Sequence, residues 1–376
     1  MRRVRCFKAF AGICCALFGV HSALADSLDN WHALSPSPQI NALYRVAFAG
    51  NLFLAVGANG AISSSTNGSN WTNQNSGSLS ALRGITFGNE TYVIAGYSLA
   101  TRTILISTNV TQWRAKIAAP ASFFLATTFA AGTFVTVGNT GTIQTSTNGI
   151  SWTNRVAITS NDLYGVAYGG GNLVAVGTNG TIITSSDGIN WTNSVSAVTN
   201  FLRDVAYGDG TFVVVGHDGT ILNSTNGVDW SGSNSGTTNR LFGIGHGQGT
   251  FVAVGSAGTI LTSTDAINWI PRNSGVTNNL FGIAYGNGNF VAVGLGGVIL
   301  YPGTVPQPVL TAVAHQRNGF KLTITGEIGH GYRLQFSPDL FTWTDLLSYT
   351  NTLFNFQYLD TSATHAPIRF YRVVTP

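Results

Sequence analysis

The chain has 376 residues, 18 Lys and Arg against 14 Asp and Glu for a formal charge of +4, and three cysteines. Charged residues make up only 9% of it, far below the ~25% of ordinary globular domains, so Asn, Ser, Thr and Gly must supply most of the polar surface. Four of the basic residues, Arg2, Arg3, Arg5 and Lys8, and all three cysteines, Cys6, Cys14 and Cys15, crowd into the first fifteen positions.

That N-terminal segment comes first in chain order. An apolar run from Ala9 to Val20 follows the basic residues, and Ala23-Leu24-Ala25 follows the run. This is the order of a secretory signal peptide over residues 1–25, with cleavage expected near Ala25. The run is shorter than the roughly 20 residues of a spanning helix, which argues against an uncleaved anchor. Cleavage leaves 351 residues with 14 basic against 14 acidic groups and no cysteine. A neutral chain lacks the clustered Lys and Arg that nucleic acid or an anionic membrane surface requires. The loss of cysteine removes disulfides, thiolate nucleophiles and thiolate metal sites. The expected location is the periplasm, the cell surface or the exterior, with no integral membrane contact.

From residue 26 the chain repeats. Trp31, Trp71, Trp113, Trp152, Trp191, Trp230 and Trp269 are spaced 40, 42, 39, 39, 39 and 39 residues apart. A second marker, the last residue of the phrase Leu-x-x-Val-Ala-Tyr, keeps step as Phe48, Phe87, Phe129, Tyr168, Tyr207, His246 and Tyr285. One unit, Leu163 to Trp191, divides into four short β-like runs separated by Gly-Gly, Asn-Gly and Asp-Gly turns. Such turns close antiparallel hairpins. Four antiparallel strands in about 40 residues make a propeller blade. No segment shows the 3.6-residue apolar period of a helical solenoid.

The ends fix the number of blades. The first three strands of the unit occur seven times, the last over Leu280–Leu300, where no Trp strand follows. Trp31 has no three strands before it. The fold class expected is therefore all-β: a seven-bladed β-propeller over residues 26–303, with the strand near Trp31 closing blade seven, then a small β-sandwich.

Residues 304–308, which include Val305-Pro306-Gln307-Pro308, read as a linker. Alternating runs then recur over residues 309–376, at Val309–Ala314, Phe320–Thr325, Tyr332–Phe336, Trp343–Ser348, Phe354–Leu359 and Arg369–Val374, as in a small antiparallel sandwich.

The repeat L-x-x-V-A-Y-G-x-G-x-F-V-A-V-G-x-x-G-T-I-x-x-S-T-[ND]-G-x-x-W resembles that of the photosystem II assembly factor type of seven-bladed propeller. It also resembles the Asp-box, or BNR, hairpin of sialidases and sortilin-like proteins. Here the hairpin is one residue tighter than the Asp-box, as in Ser65, Asn67, Gly68 and Trp71, and blades two and six carry Asn109-Val110 and Asp265-Ala266 without the glycine. The resemblance implies structural turns at these Asx residues. The C-terminal segment resembles the fibronectin-III-like or immunoglobulin-like modules of secreted bacterial proteins, through Tyr332, Leu334, Gln335, Ser337, Asp339, Leu340 and Trp343 and the closing Arg369 to Arg372. That resemblance implies a spacer or attachment point.

Catalytic chemistry finds little support. A sialidase needs an arginine triad, a Tyr–Glu pair and an acid, whereas the repeats hold one glutamate, Glu90, in a turn position. His246 stands in the aromatic slot and His217 in a turn, with no metal-ligand spacing around either. No catalytic residue, metal or cofactor is expected.

Equivalent positions that vary are more informative, because the scaffold dictates the constant ones. Four places before the aromatic slot stand Tyr44, Arg83, Leu125, Tyr164, Arg203, Phe242 and Phe281; one place later stand Arg45, Gly84, Ala126, Gly165, Asp204, Gly243 and Gly282. These positions open the first strand of each blade, nearest the axis. Tyr44, Arg45, Arg83, Tyr164, Arg203, Asp204, Phe242 and Phe281 are therefore the candidate ligand-binding rim of the central channel. Aromatic faces with Arg donors suit sugars, carboxylates or a peptide segment. The function expected is a non-enzymatic, exported, monomeric module that binds a protein or glycan; the alternative is a carbohydrate-active hydrolase or lyase.

Overall fold

A computed structural model of the chain describes residues 5–9, 12–16, 28–34, 37–98, 102–117, 123–303, 309–316, 319–325, 331–350, 355–362 and 369–374. The expected cleavage site near Ala25 and the linker 304–308 lie outside the described residues. At the N-terminus, the backbone at Arg5–Ala9 and Gly12–Ala16 forms two antiparallel strands. Among the described residues no helix is long and apolar enough to cross a membrane. The chain divides into two units, Leu28–Pro302 and the remainder.

The first unit is a ring of seven four-stranded antiparallel sheets. Blade 4 is representative, with strands a to d at Leu163–Gly169, Asn172–Gly177, Ile182–Ser185 and Thr192–Ser194. Strand b does not alternate. Leu173, Val174, Ala175 and Val176 are all buried, because a neighbouring blade covers each face of the sheet and both faces must be apolar. The core accordingly lies between blades. Val213, Val215 and Ile221 of one blade pack with Leu241, Ile244, Phe251 and Leu261 of the next, each fully buried aliphatic side chain contributing about 1.5–3 kcal/mol.

Turn chemistry sets the strand ends. Between strands b and c, Gly180 sits at φ +64° with no room for a Cβ, which would lie 1.8 Å from the Val198 carbonyl oxygen. Between c and d, the Ser185 hydroxyl accepts the Gly188 N–H at 2.8 Å, and Asp187 Oδ1 accepts the N–H groups of Ile189 and Asn190, both at 2.8 Å. The Trp191 indole then donates to the Gly188 carbonyl at 3.2 Å. These donors, the Asn190 N–H foremost, hold the Asp187 carboxyl well below the usual carboxylate range. Blades 2 and 6 build the same turn without glycine, with Val110 at φ +58° and Ala266 at φ +62°. Side-chain hydrogen bonds to the turn therefore override the ordinary cost of a left-handed non-glycine residue, β-branched in the case of Val110.

Blade 7 takes three strands from Leu280–Gly286, Asn289–Gly294 and Ile299–Pro302, and its fourth from Trp31–Ala33, in register Trp31 to Pro302 and Ala33 to Leu300. Trp31 is 4% exposed, and its indole donates to the Leu28 carbonyl at 3.1 Å. Asp29 makes an ion pair with Arg272 of blade 6. The inner strand of blade 7 packs beside that of blade 1, so the ring closes with no free sheet face.

In the second unit, Val309–Gln316, Gly319–Thr325 and Asn355–Asp360 form one sheet, and Gly331–Ser337, Thr344–Thr350 and Phe370–Val374 pair in another. Leu322, Ile324, Leu334 and Tyr371 are buried between them. Buried Asp360 accepts from the Tyr371 hydroxyl at 2.9 Å and Arg369 Nη1 at 2.6 Å. The blade turn recurs here: Ser337 accepts the Leu340 N–H at 2.8 Å, with Leu340 at φ +68°.

Candidate functional site

In every blade the ladder between strands a and b carries a bulge at one residue: Tyr44, Arg83, Leu125, Tyr164, Arg203, Phe242 or Phe281. A bulge sets two residues against one and re-aims a side chain out of the strand's alternation. All seven of these side chains line one cavity of about 260 Å³, together with Arg45 and Tyr97. It is the mouth of the central channel, at the end where each strand a begins.

Each of the two bulge guanidiniums in this mouth has aromatic rings beside it. The Arg83 guanidinium lies 3.7 Å over the Tyr44 ring and 5.9 Å from that of Tyr97. That of Arg203 lies 4.3 Å over Tyr164 and 5.7 Å from Phe242. Phe281 bridges the remaining gap, 5.7 Å from Tyr44 and 5.4 Å from Phe242. Cation–π contacts of this kind hold the plane of a guanidinium while leaving its N–H edge open to a ligand. Arg83 and Arg203 form no hydrogen bond and no ion pair among the described residues, and Arg83 Nε is buried without a partner. Burial pushes the Arg203 guanidinium below its ordinary value, and the charge of Arg83 pushes it further.

One residue along, the scaffold demands small side chains. A Cβ at Gly84 would sit 2.7 Å from the Thr127 nitrogen, and one at Gly165 2.9 Å from Asp204 Cα, because neighbouring inner strands approach most closely here. Arg45 and Asp204 are the two charged exceptions, and they meet: Arg45 Nη1 lies 2.7 Å from Asp204 Oδ2. Asp204 also accepts the Ile244 N–H at 3.1 Å, while its other oxygen is buried without a partner.

Of the eight rim residues expected from the repeat, seven line the cavity and Asp204 does not. At 1% exposure Asp204 is committed to Arg45 and to blade 6, so its charge belongs to the floor of the mouth. The repeat did not single out Tyr97, although its signal was present. It occupies the slot filled by Ala58, Asn139, Thr178, His217, Ser256 and Leu295, in the one blade lengthened to a 42-residue spacing.

The two histidines have packing roles. His246 lies 4.5 Å from the Phe251 ring and 3.1 Å from Asp209 Oδ2. His217 stacks on Phe201 at 5.1 Å, and its imidazole is held below its ordinary value, first by burial and then by Arg203 and Arg240. Glu90 is exposed in a turn at φ +57°. Among the described residues no three His, Cys, Asp or Glu side chains converge on a common point.

No protein-family model and no curated protein sequence matches this chain. Solved structures match it in fold. YCF48 from Cyanidioschyzon merolae superposes with a TM-score of 0.60 at 17% identity, over 73% of this chain and 98% of that one. A structure of YCF48 bound to D1 peptide gives 0.62 at 17% identity, over 75% and 97% of the two chains. A streptogramin B lyase gives 0.63 at 14% identity, over 72% and 96%. At these identities the likeness establishes a β-propeller and nothing finer.

Proposed function

We propose that this chain is an exported, non-enzymatic propeller that binds a protein segment by taking its acidic groups into the channel mouth. One observation carries the reading: two ring-stacked guanidiniums, Arg83 and Arg203, open into a single cavity without any carboxylate or hydrogen-bond partner among the described residues. Arg donors held in a partly desolvated site bind carboxylates through paired, charge-assisted hydrogen bonds. The flanking aromatic rings supply apolar contact for the remainder of a segment. The D1 peptide held by YCF48 supports a peptide as ligand for a propeller of this kind. The N-terminal basic, apolar and small-residue order supports export.

A carbohydrate-active enzyme is the second reading, and the likeness to a lyase is the observation on its side. It requires an acid pair at the mouth. The cavity lining carries Arg, Tyr, Phe and Leu, and the adjacent carboxylate, Asp204, is tied to Arg45, which favours binding over catalysis.

The test is to present the full chain to arrays of peptides, with free or amidated C-termini, and of neutral and acidic glycans. Retention by acidic peptides is expected. Retention confined to neutral glycans, or cleavage of any glycan, would sink the proposal.

A further inference from the structure

Arg83 and Arg203 are alike in construction. Each occupies the bulge of its strand a, and each lies over a tyrosine in the same slot of the preceding blade, Tyr44 or Tyr164. A second ring flanks each, Tyr97 or Phe242. They stand on blades 2 and 5, three steps apart in a ring of seven, and therefore on opposite sides of the mouth. Each guanidinium thus lies beside two rings on its own side of the mouth.

The charges follow the same geometry. Arg45 is neutralised by Asp204, so the cavity retains two positive charges, one on each wall. The repulsion between them reaches Arg203 from Arg83. A single carboxylate paired with one guanidinium leaves the opposite one without a partner, whereas two linked carboxylates engage both forks at once.

We infer that the mouth is a two-armed clamp for a dicarboxylate, one carboxylate on Arg83 and the other on Arg203, with the connecting carbons against the aromatic rings. The inference rests on the anion-capture reading above and specifies its ligand. The shared chemistry has two sources, a free dicarboxylic acid or a peptide whose C-terminal residue is Asp or Glu, which carries two carboxylates a few bonds apart. Joining both groups in one molecule makes the second contact intramolecular, so a dicarboxylate of matching length gains affinity over a monocarboxylate without any new type of contact.

The experiment titrates the full chain, by NMR, with butyrate, succinate, glutarate, adipate and sulfate. It also uses acetylated tripeptides ending in Glu, with a free or amidated C-terminus. The clamp predicts an optimum length at which a dicarboxylate binds about tenfold or more tightly than butyrate. It predicts that Arg83→Gln and Arg203→Gln each reduce that ligand to the level of butyrate. Arg83→Lys and Arg203→Lys, which keep charge but lose the fork, recover part of the loss and guard against a folding defect. The free-acid tripeptide outbinding glutarate identifies a protein end as the source, and equal affinities identify a small acid; amidation removes the advantage in either case. Butyrate binding as tightly as every dicarboxylate, or sulfate matching the best of them, overturns the clamp while anion capture stands. No binding of any carboxylate overturns both.

Discussion

Arg45 of blade 1 and Asp204 of blade 5 meet at 2.7 Å across the channel, although 159 positions separate them in sequence. They occupy equivalent positions in their blades, where the neighbouring inner strand leaves space only for glycine or alanine in the other five. The pair joins opposite sides of the ring and forms the floor on which the mouth cavity rests.

Removing one member should cost more than the pair contributes. Asp204→Ala leaves the guanidinium of Arg45, whose side chain is 26% exposed, and the Ile244 N–H without an acceptor. Because Arg45 retains some solvent, the expected loss is about 2–3 kcal/mol rather than the full cost of a buried charge. The double variant Arg45→Met/Asp204→Leu should recover most of it in urea unfolding. A single variant as stable as the parent would show that the pair is peripheral.

Gly165 supports Asp204 from the adjacent blade. A methyl group added at Gly165 would lie 2.9 Å from Asp204 Cα, a backbone atom that cannot give way. Gly165→Ala should therefore cost about 1–3 kcal/mol and, by displacing Asp204 from Arg45 at the cavity lining, leave an uncompensated positive charge there and tighten anion capture. Gly171→Ala is the control. That glycine has open space around it but φ +85°, so its substitution should lower stability and leave capture intact.

Ring closure rests on the N-terminal strand. Trp31→Ala removes a buried indole and its hydrogen bond to Leu28, at an expected cost of about 3–5 kcal/mol. Deleting residues 26–36 should lower the melting temperature sharply. An unchanged melt after that deletion would exclude this strand as the fourth strand of blade 7.

The mouth should respond to pH through His217. Its folded pKa lies below the ordinary 6.5 because of burial, then the charges of Arg203 and Arg240, against the opposing pull of Asp218. A base with a depressed pKa favours its neutral form in the fold. Its contribution to stability is therefore present above pH 6.5 and lost as the pH falls through the lower folded value. A bound carboxylate offsets the repulsion, so capture should take up protons and tighten as the pH drops below about 6.5. Calorimetry in two buffers of different ionisation enthalpy measures the uptake, and His217→Phe should abolish it. Uptake unchanged in that variant would assign it elsewhere.

Much of this was legible in the sequence, for a physical reason. A repeat places equivalent residues at equivalent points, so comparing seven copies separates what the scaffold requires from what varies. The blades were readable from Trp and Asx-Gly spacing, and the ring from Tyr44 to Phe281 from the register. The bulges were not readable, because a strand pattern of period two does not disclose a one-residue slip. Nor was the Arg45–Asp204 pair, since it depends on two side chains crossing the axis. Tyr97 was hidden by the irregular length of blade 2, where the glycine turn of the other blades is replaced.

The central claim is that Arg83 and Arg203 exist to hold an anionic ligand rather than to pack the rim. The affinity of the full chain for an acidic peptide retained on the array, compared with that of Arg83→Ala/Arg203→Ala, tests it most directly. Binding should fall by about a hundredfold or more, with the melting temperature nearly unchanged. A large fall in melting temperature with binding intact would contradict it.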